Sequence, residues 1–433
     1  MKNSYFDYDL VIVGGGLVGA SLACALGASG LHIAIIEAAP FINDTSESFQ
    51  PSFDARTVAL AQGSQQIFAA MGMWDEIKKL GVTPIKKIHI SDRGHAGITR
   101  LDSEAENVDA LGYVVETRVL GSVLTQRLKQ FSNIDVLCPA QLTQLEFSSA
   151  SALLGIEHKG QQRSLRTPLL VAADGGQSMA RQLSDVNVFE TDYAQHAVIA
   201  NVVMDKAHHN IAYERFTDTG PMALLPSQLF PSGLSNAPDA DALKENDNVY
   251  ALVWTVENKK SDEVAGWDDA TFLKELQHHF GTRAGNFIKA SRRHVYPLKF
   301  MHAREHVRPH LAFIGNAAHT LHPVAGQGFN LGLRDVATLA QVLVEAKQNK
   351  MALGDLSVLK KYAQWRKRDH WQTSLITDGL VRLFSSKLAP LMLARNMGLL
   401  MTDLLPPLKH IMARHAMGYV GKLSRLARGL PLS

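Results

Sequence analysis

Leu10-Val-Ile-Val13 is an unbroken apolar run, the pattern of a strand buried on both faces. A glycine turn follows, and then the small residues Ala20, Ser21, Ala23 and Ala25, which let a helix pack close. A second apolar run, His32 to Ile36, ends at Glu37. This order predicts strand, turn, helix, strand: a βαβ unit. Further on, the pattern predicts a polar loop over residues 43–52 and a helix over Gln62–Ile77. It then predicts a strand over Lys87–Ser91, a helix over Val119–Phe131 and a buried strand over Leu169–Ala173, stopping at Asp174-Gly175.

The middle of the chain changes style. Val198–Met204, Ile211–Phe216, Met222–Leu225 and Val249–Thr255 read as antiparallel strands with turn signals between them. Eleven of the eighteen residues from 231 to 248 are Pro, Gly, Ser, Asn or Asp, which predicts a surface loop joining two strands. The first style then returns. Leu311–Ile314 reads as a short buried strand, and the helix after it carries Val336, Leu339, Ala340 and Leu343 on one face. From about residue 355 the pattern is helical.

The predicted class is α/β, α+β overall. A Rossmann-type dinucleotide domain would be built from residues 1–81, 108–181 and 290–370, with a mixed or antiparallel-sheet substrate domain from 82–107 and 182–289 inserted in it. Residues 371–433 would form a C-terminal helical region.

Composition narrows the function. With 46% hydrophobic and 20% charged residues the chain is globular rather than disordered. Lys+Arg 44 against Asp+Glu 41 gives a net of +3, too balanced to argue for a nucleic-acid partner. Cys24 and Cys138 stand far apart, which excludes a disulfide scaffold and a cysteine-built zinc site and fits a reducing, cytoplasmic compartment. Leu10 to Ile36 carries no charged side chain, but it holds six glycines and follows Asp7 and Asp9, which argues against a signal or a span. The tail from Ser386 to Ser433 has seven Lys/Arg against Asp403 alone, among many Leu and Met. Arg395, Asn396 and Asp403 interrupt its apolar stretch, so it reads as a peripheral surface for an anionic membrane or a partner, or as a solvated basic helix.

Three motifs carry chemistry. Gly14-x-Gly16-x-x-Gly19, with Gly15 between the first two, opens a helix after a strand. The first glycine allows the tight turn, the second lets backbone approach a pyrophosphate, and the third permits close helix–strand packing. Glu37, eighteen residues past Gly19, sits where a carboxylate accepts from ribose hydroxyls and would repel a 2′-phosphate, so the bound dinucleotide would be FAD or NAD. The second motif, Ala173-Asp174-Gly175 at a strand end, is by itself also a common turn. The third runs from Ile314 through Gly315, Asn316, His319, His322, Pro323, Gly326, Gln327, Gly328, Phe329 and Asn330. There a strand feeds a Gly/Pro loop and a helix whose positive end points back at whatever the loop holds, such as a ring that becomes anionic. No carboxylate joins His319 and His322 in that loop, so no metal is expected there.

Together, in this order, these motifs resemble the FAD-dependent aromatic hydroxylases of the p-hydroxybenzoate hydroxylase type. The segments Phe53–Leu60, Ser91–Gly97, Glu214–Thr217, Gly220–Pro226 and Gly315–Asp335 resemble the 2-polyprenyl-6-methoxyphenol hydroxylase branch of ubiquinone biosynthesis. The resemblance covers nearly the whole chain. It implies an FAD enzyme in which NAD(P)H reduces the flavin and O2 supplies a hydroxyl to the ring of a polyprenylated phenol.

It also implies positions. Gly14, Gly15, Gly16, Gly19 and Glu37 would hold the ADP half of FAD, Arg56 its middle, Arg118 its pyrophosphate side, and Asp174 the region beside the pyrophosphate. Gly315 and Asn316 would meet the ribityl chain, and Pro323, Gly326, Gln327, Gly328, Phe329 and Asn330 the flavin ring, with Pro323, Gly326 and Gly328 closest to the chemistry. The superfamily usually has Asp where this chain has Asn316. The amide still accepts from a hydroxyl, but the negative charge is gone. Tyr213, Arg215 and Leu224 on the middle sheet are candidate substrate neighbours, with ordinary strand packing as the other reading. A flavin reductase and an FAD-holding structural subunit of a quinone-biosynthesis assembly stay open as alternatives, as does a homo-oligomer. No W-x-W-x-I-P halogenase segment and no G-x-S-x-G hydrolase segment is present. Peripheral attachment would be to the inner face of the cytoplasmic membrane.

Overall fold

In the computed structural model, which describes residues 5–39, 56–228, 247–322, 326–385 and 389–432, Leu10–Val13 lies parallel to Ile33–Ile36 on one side and to Leu170–Ala172 on the other. Ile134–Leu137 and Leu311–Phe313 extend this sheet in parallel, and Val307–Arg308 adds an antiparallel edge. Both faces are covered, which is why these strands read as continuous apolar runs rather than alternating ones. Leu10, Ile12, Ile33 and Ile35 pack with the helices Leu17–Leu26, Thr117–Leu128 and Gln327–Gln348. Val11, Val13, Ala34 and Ile36 pack against a three-stranded meander, Ala140–Phe147, Ala152–His158 and Gln161–Thr167, which the pattern analysis did not pick out.

The second sheet has nine strands among the described residues. Its centre is the long strand Val188–Met204, paired antiparallel with Val249–Glu257 and with His294–Ala303. Gly220–Ser227, Ile211–Thr217 and the hairpin Lys87–Asp92/Ile98–Asp102 continue the sheet outward. One face carries Leu224, Leu252, Trp254 and Val198 against Phe272, Leu276 and Phe280 of the helix Asp269–Phe280. The opposite face lines a cavity.

Three details differ from the sequence-based expectations. The helix expected over Gln62–Ile77 is two, Gln62–Ala70 and Trp74–Leu80, because Gly72 takes φ +72° and ends the first. His294–Ala303, expected in the dinucleotide domain, is a strand of the second sheet. One helix, Leu356–Ser385, runs straight through the expected boundary at 370/371. The polar loop at 43–52, residues 231–246 of the second loop and Phe53 to Ala55 lie outside the described residues.

The C-terminal helices Ala389–Leu404 and Pro406–Ala416 are tied to the hairpin that carries the Ser91–Gly97 segment. Asp92 is buried and accepts from Arg395 Nε at 2.8 Å and from Asn396 Nδ2 at 2.9 Å. Gly97 donates its N–H to Asn396 Oδ1 at 2.8 Å, and a Cβ at Gly97 would overlap that same oxygen. Thr99 Oγ1 donates to the Leu399 carbonyl at 2.7 Å, and Arg100 pairs with Asp403. The segment that resembled the ubiquinone branch is therefore the seat of the tail helix.

The seat makes a stability prediction. Removing one member of a buried ion pair strands the other, at a cost of about 3–5 kcal/mol. Asp92→Ala is expected to lower unfolding stability in urea by that order and to open residues 389–404 to limited proteolysis. The double replacement Asp92→Leu/Arg395→Leu, which leaves no orphaned charge, is expected to regain part of the loss. Equal stability of Asp92→Ala and the unmodified chain would disprove the role given to this pair.

Candidate functional site

The glycine turn packs as its spacing requires. Gly14 has φ +100°, and a Cβ there would come within 2.5 Å of the Ala173 carbonyl oxygen, so the turn can lie against the Leu170–Ala172 strand end. A Cβ at Gly19 would overlap the Gly14 carbonyl oxygen, which makes Gly19 the close-packing position between helix and turn. Glu37 is buried and accepts from Gly15 N–H at 2.6 Å and Ala39 N–H at 2.8 Å. Each of its oxygens keeps a second lone pair for a ligand hydroxyl. The helix Leu17–Leu26 starts at Gly16 with no side chain capping it, so its first N–H groups are open to an anion.

A second helix start faces the same space. Gly326, at φ +59°, precedes Gln327–Gln348, and this helix also has no side-chain cap. Asn330 clamps the entrance. Its Nδ2 donates to the Ala59 and Gly326 carbonyls, both at 2.8 Å, and its Oδ1 accepts from Ala61 N–H at 2.8 Å and Ser64 Oγ at 2.7 Å. Behind the loop, Asp335 is fully buried. Its Oδ2 accepts from Gly315 N–H at 3.1 Å and His319 Nε2 at 2.7 Å, and its Oδ1 from Arg366 Nε at 2.8 Å and His370 Nε2 at 2.6 Å. Asp369 bridges Arg366 to Arg334. Burial by itself would raise the Asp335 carboxyl, but His370, His319 and Arg366 outweigh it and hold it well below the usual carboxylate range. The pattern of residues 314–330 offers His319 no carboxylate because the carboxylate comes from the next helix. His322 is apart from this group, edge-on to Tyr193 with ring centroids 5.1 Å apart.

Between the two helix starts and the second sheet lies a cavity of about 900 Å³. Gly14, Gly16, Glu37, Arg56, Asp174, Asn316, Gly326, Gln327, Gly328, Phe329 and Asn330 all line it. Gly15, Gly19 and Gly315 sit in the turns beneath, Gly315 at φ +57° with a Cβ position 3.1 Å from the Val18 methyls. Arg118 is not in the lining. It opens the Thr117–Leu128 helix and pairs with Glu116. Pro323 lies outside the described residues.

The sheet end of the cavity is a single face. Leu101, Ile88 and Ala212, then Ile90, Glu214, Ala223, Val253 and Ile199, are register neighbours across the strands and all line it. Strand side chains alternate, so the residues between them point the other way. Leu224 is fully buried in the core behind the sheet. Arg215 Nη1 donates to Ser91 Oγ at 3.2 Å, outside the cavity. Tyr213 borders the cavity, but its ring packs behind the sheet near Phe280, with centroids 5.9 Å apart. The candidates Tyr213 and Arg215 lie on the odd-numbered face of Ile211–Thr217, whereas the cavity takes the even-numbered one. Glu214 is the acidic side chain on that otherwise apolar face.

Residues 7–374 match the FAD binding domain family. The chain belongs to that family. It is 35% identical to the ubiquinone hydroxylase UbiL of Rhodospirillum rubrum, with 98% of this chain and 93% of that protein covered. It is 32% identical to the 3-demethoxyubiquinol 3-hydroxylase of Escherichia coli, with 95% and 98% covered. Its fold is shared with p-nitrophenol 4-monooxygenase PnpA from Pseudomonas putida, with a TM-score of 0.73 at 15% identity and 94% and 98% of the two chains covered.

The residues fit the family's cofactor on structural grounds. Asp174 Oδ1 and Thr320 Oγ1 are buried, belong to lining residues and have no hydrogen-bond partner among the described residues. Burial raises the Asp174 carboxyl, and the Ser178 hydroxyl and then the Ala180 N–H, 3.0 Å from Oδ2, work against that rise. Two uncapped helix starts, a buried ribose-type acceptor and these orphaned oxygens suit an elongated ligand with phosphates and hydroxyls.

His322 sets a pH dependence. Burial pushes its imidazole down to about 4 from 6.5, so the unfolded chain takes up its proton first. The His322 contribution to stability is therefore complete above pH 6.5 and is lost as the pH drops toward 4, about 3 kcal/mol for a shift of this size. The urea midpoint is expected to fall across that window, and His322→Gln to flatten the fall. An unchanged slope in the variant would contradict this account.

Proposed function

We propose that this chain is an FAD-dependent monooxygenase that hydroxylates the aromatic ring of a polyprenylated methoxyphenol in ubiquinone biosynthesis. The observation that carries the reading is one continuous cavity. It has dinucleotide-type polar groups at one end and the apolar face of Leu101, Ile88, Ile90, Ala223 and Val253 at the other. The identity to ubiquinone hydroxylases over nearly the full length supports the same substrate class.

FAD, when bound, supplies the redox chemistry, taking a hydride from NAD(P)H and activating O2. The chain's own residues do the rest. Glu37 would accept from the adenosine ribose, and the Gly16–Leu17 helix start would face the pyrophosphate, with Asp174 beside it. Arg56, whose guanidinium lies 5.2 Å from the Tyr296 ring centroid, would reach the middle of the cofactor. Asn316 would accept from the ribityl chain, and the open N–H groups at Gly328 and Phe329 would stabilise negative charge on the ring. The apolar sheet face would hold the phenol flat and exclude water.

The same reading extends to the surface. Ile376 lines the cavity and is also 42% exposed, so the cavity opens there. On the same helix and the two that follow it, Trp371, Leu375, Leu393, Met397, Met401, Leu404 and Ile411 are exposed, Leu404 at 75%. Large exposed apolar side chains in such number mark an interaction surface when they are contiguous. Three basic residues of the tail have partners within the chain: Arg395 pairs with Asp92, Lys409 with Asp403, and Lys422 lies over the Trp365 ring. The tail would thus meet lipid through apolar side chains more than through charge, and a prenyl chain could pass from bilayer to cavity. No helix among the described residues is long and apolar enough to cross a membrane.

Two experiments test this reading. FAD-loaded protein reduced anaerobically by NADH or NADPH and then given O2 with a short-chain 2-prenyl-6-methoxyphenol should yield a phenol heavier by one oxygen. Reduction with no oxygenated product under all chain lengths tried would overturn the assignment. For the surface, Leu393→Ser/Leu404→Ser/Ile411→Ser should lower binding to phosphatidylcholine vesicles at least about tenfold, given roughly 1 kcal/mol or more per leucine-sized contact. Binding of the unmodified protein that vanishes in high salt would favour charge over apolar contact.

A further inference from the structure

Four imidazoles gather behind the flavin-loop helix. His302 is the next-to-last residue of the strand His294–Ala303, His306 lies in the turn after it, and His370 is on the helix Leu356–Ser385. Ring centroids are 4.8 Å apart for His302 and His306, and 4.8 Å for His306 and His370. One ring nitrogen of each lies within 4.8 Å of the other two. His370 Nε2 is committed to Asp335 Oδ1, which leaves Nδ1 with the lone pair, and that atom is buried with no hydrogen-bond partner among the described residues. His306 Nε2 is likewise buried and without a partner among the described residues. Buried ring nitrogens left without a partner this close together are unfavourable unless a ligand meets them.

We propose that His302, His306 and His370 form a binding site for a divalent transition-metal ion of the zinc type. Three neutral imidazoles with no thiolate suit Zn²⁺, Co²⁺ or Ni²⁺ rather than Mg²⁺ or Ca²⁺. Asp335 orients His370 as a carboxylate behind a ligating histidine does. The nitrogens have to draw in to about 3.4 Å, the edge of a tetrahedron with metal–nitrogen bonds of about 2.1 Å. His302 and His306 lie near a strand end and in a turn and are only half-buried, so a water could complete the shell as fourth ligand. Burial first, and the neighbouring imidazoles after it, lowers His306, and burial lowers His302 and takes His370 to about 4. All three are thus deprotonated at neutral pH, as ligands must be.

His319 is the fourth ring, and it is not a ligand. The alternative trio of His319, Asp335 and His370 is closed to a cation, because both Asp335 oxygens are already engaged and Arg366 lies against them. An ion on His302, His306 and His370 would staple the helix Leu356–Ser385 to the second sheet. Through Asp335 it would stiffen the Gly315 turn, independently of the reaction catalysed.

The test uses chelator-treated, FAD-loaded protein. Calorimetric titration with Zn²⁺ should give one equivalent per chain, and Co²⁺ should develop a visible d–d band. His306→Gln and His302→Gln should each weaken uptake at least about tenfold, the loss expected for a disturbed metal shell. His278→Gln, in a separate surface pair with His279, should bind like the unmodified protein. Zn²⁺ should raise the melting temperature of the unmodified protein but not of His302→Gln. Should His306→Gln fail to fold, the half-buried His302 position still decides the matter. No uptake by the unmodified protein, or uptake untouched by His302→Gln, overturns the site.

Discussion

A carboxylate with no access to water organises the cofactor end of this molecule. Asp335 receives four donors: the Gly315 amide, two imidazoles and a guanidinium. A buried carboxylate is tolerable only when its lone pairs are taken and a counter-charge is near. Arg366 supplies that charge, and Asp369 and Arg334 continue the alternation. The backbone of the second glycine loop is held by this ion cluster, so the loop's shape is set by side chains from two long helices rather than by the loop itself. Tyr362, also buried on Leu356–Ser385, donates to the Phe313 carbonyl at 3.1 Å and fixes the strand end that feeds the same loop.

The other end of the cavity depends on a different constraint, the two-residue period of a strand. One sheet does two jobs. Its rear face makes an aromatic core with the helix Asp269–Phe280, and its front face is the apolar wall of the cavity. Leu224 and Glu214 exchange the roles that hydrophobicity alone would give them. The leucine is core, and the glutamate stands at the site.

The tail shows how charge counts can mislead. Its cations look like an outward basic face in one dimension. In three dimensions Arg395 closes a buried pair with Asp92, and the exposed surface of the same helix is apolar. Asp92, Gly97 and Asn396 explain why a glycine-containing hairpin and a distant helix must be read together. Gly97 leaves room for the Asn396 amide, and no side chain could.

The first glycine turn with Glu37, both buried strands and a helix start expected near Gly328, found with Gly326 as its cap, were legible in the sequence. Each depends on residues a few positions apart whose geometry follows from local backbone rules: a positive φ, a close approach, an apolar run covered on both faces. The Asp335 cluster, the apolar mouth at Ile376 and the choice of sheet face were not. His319, Asp335, Arg366 and His370 are far apart along the chain, and nothing local marks them as partners. A buried charge acquires its meaning from what surrounds it, and a strand's inward face from what packs on either side. Those are properties of the assembled tertiary structure, because desolvation and hydrogen-bond pairing exist only once the segments have come together.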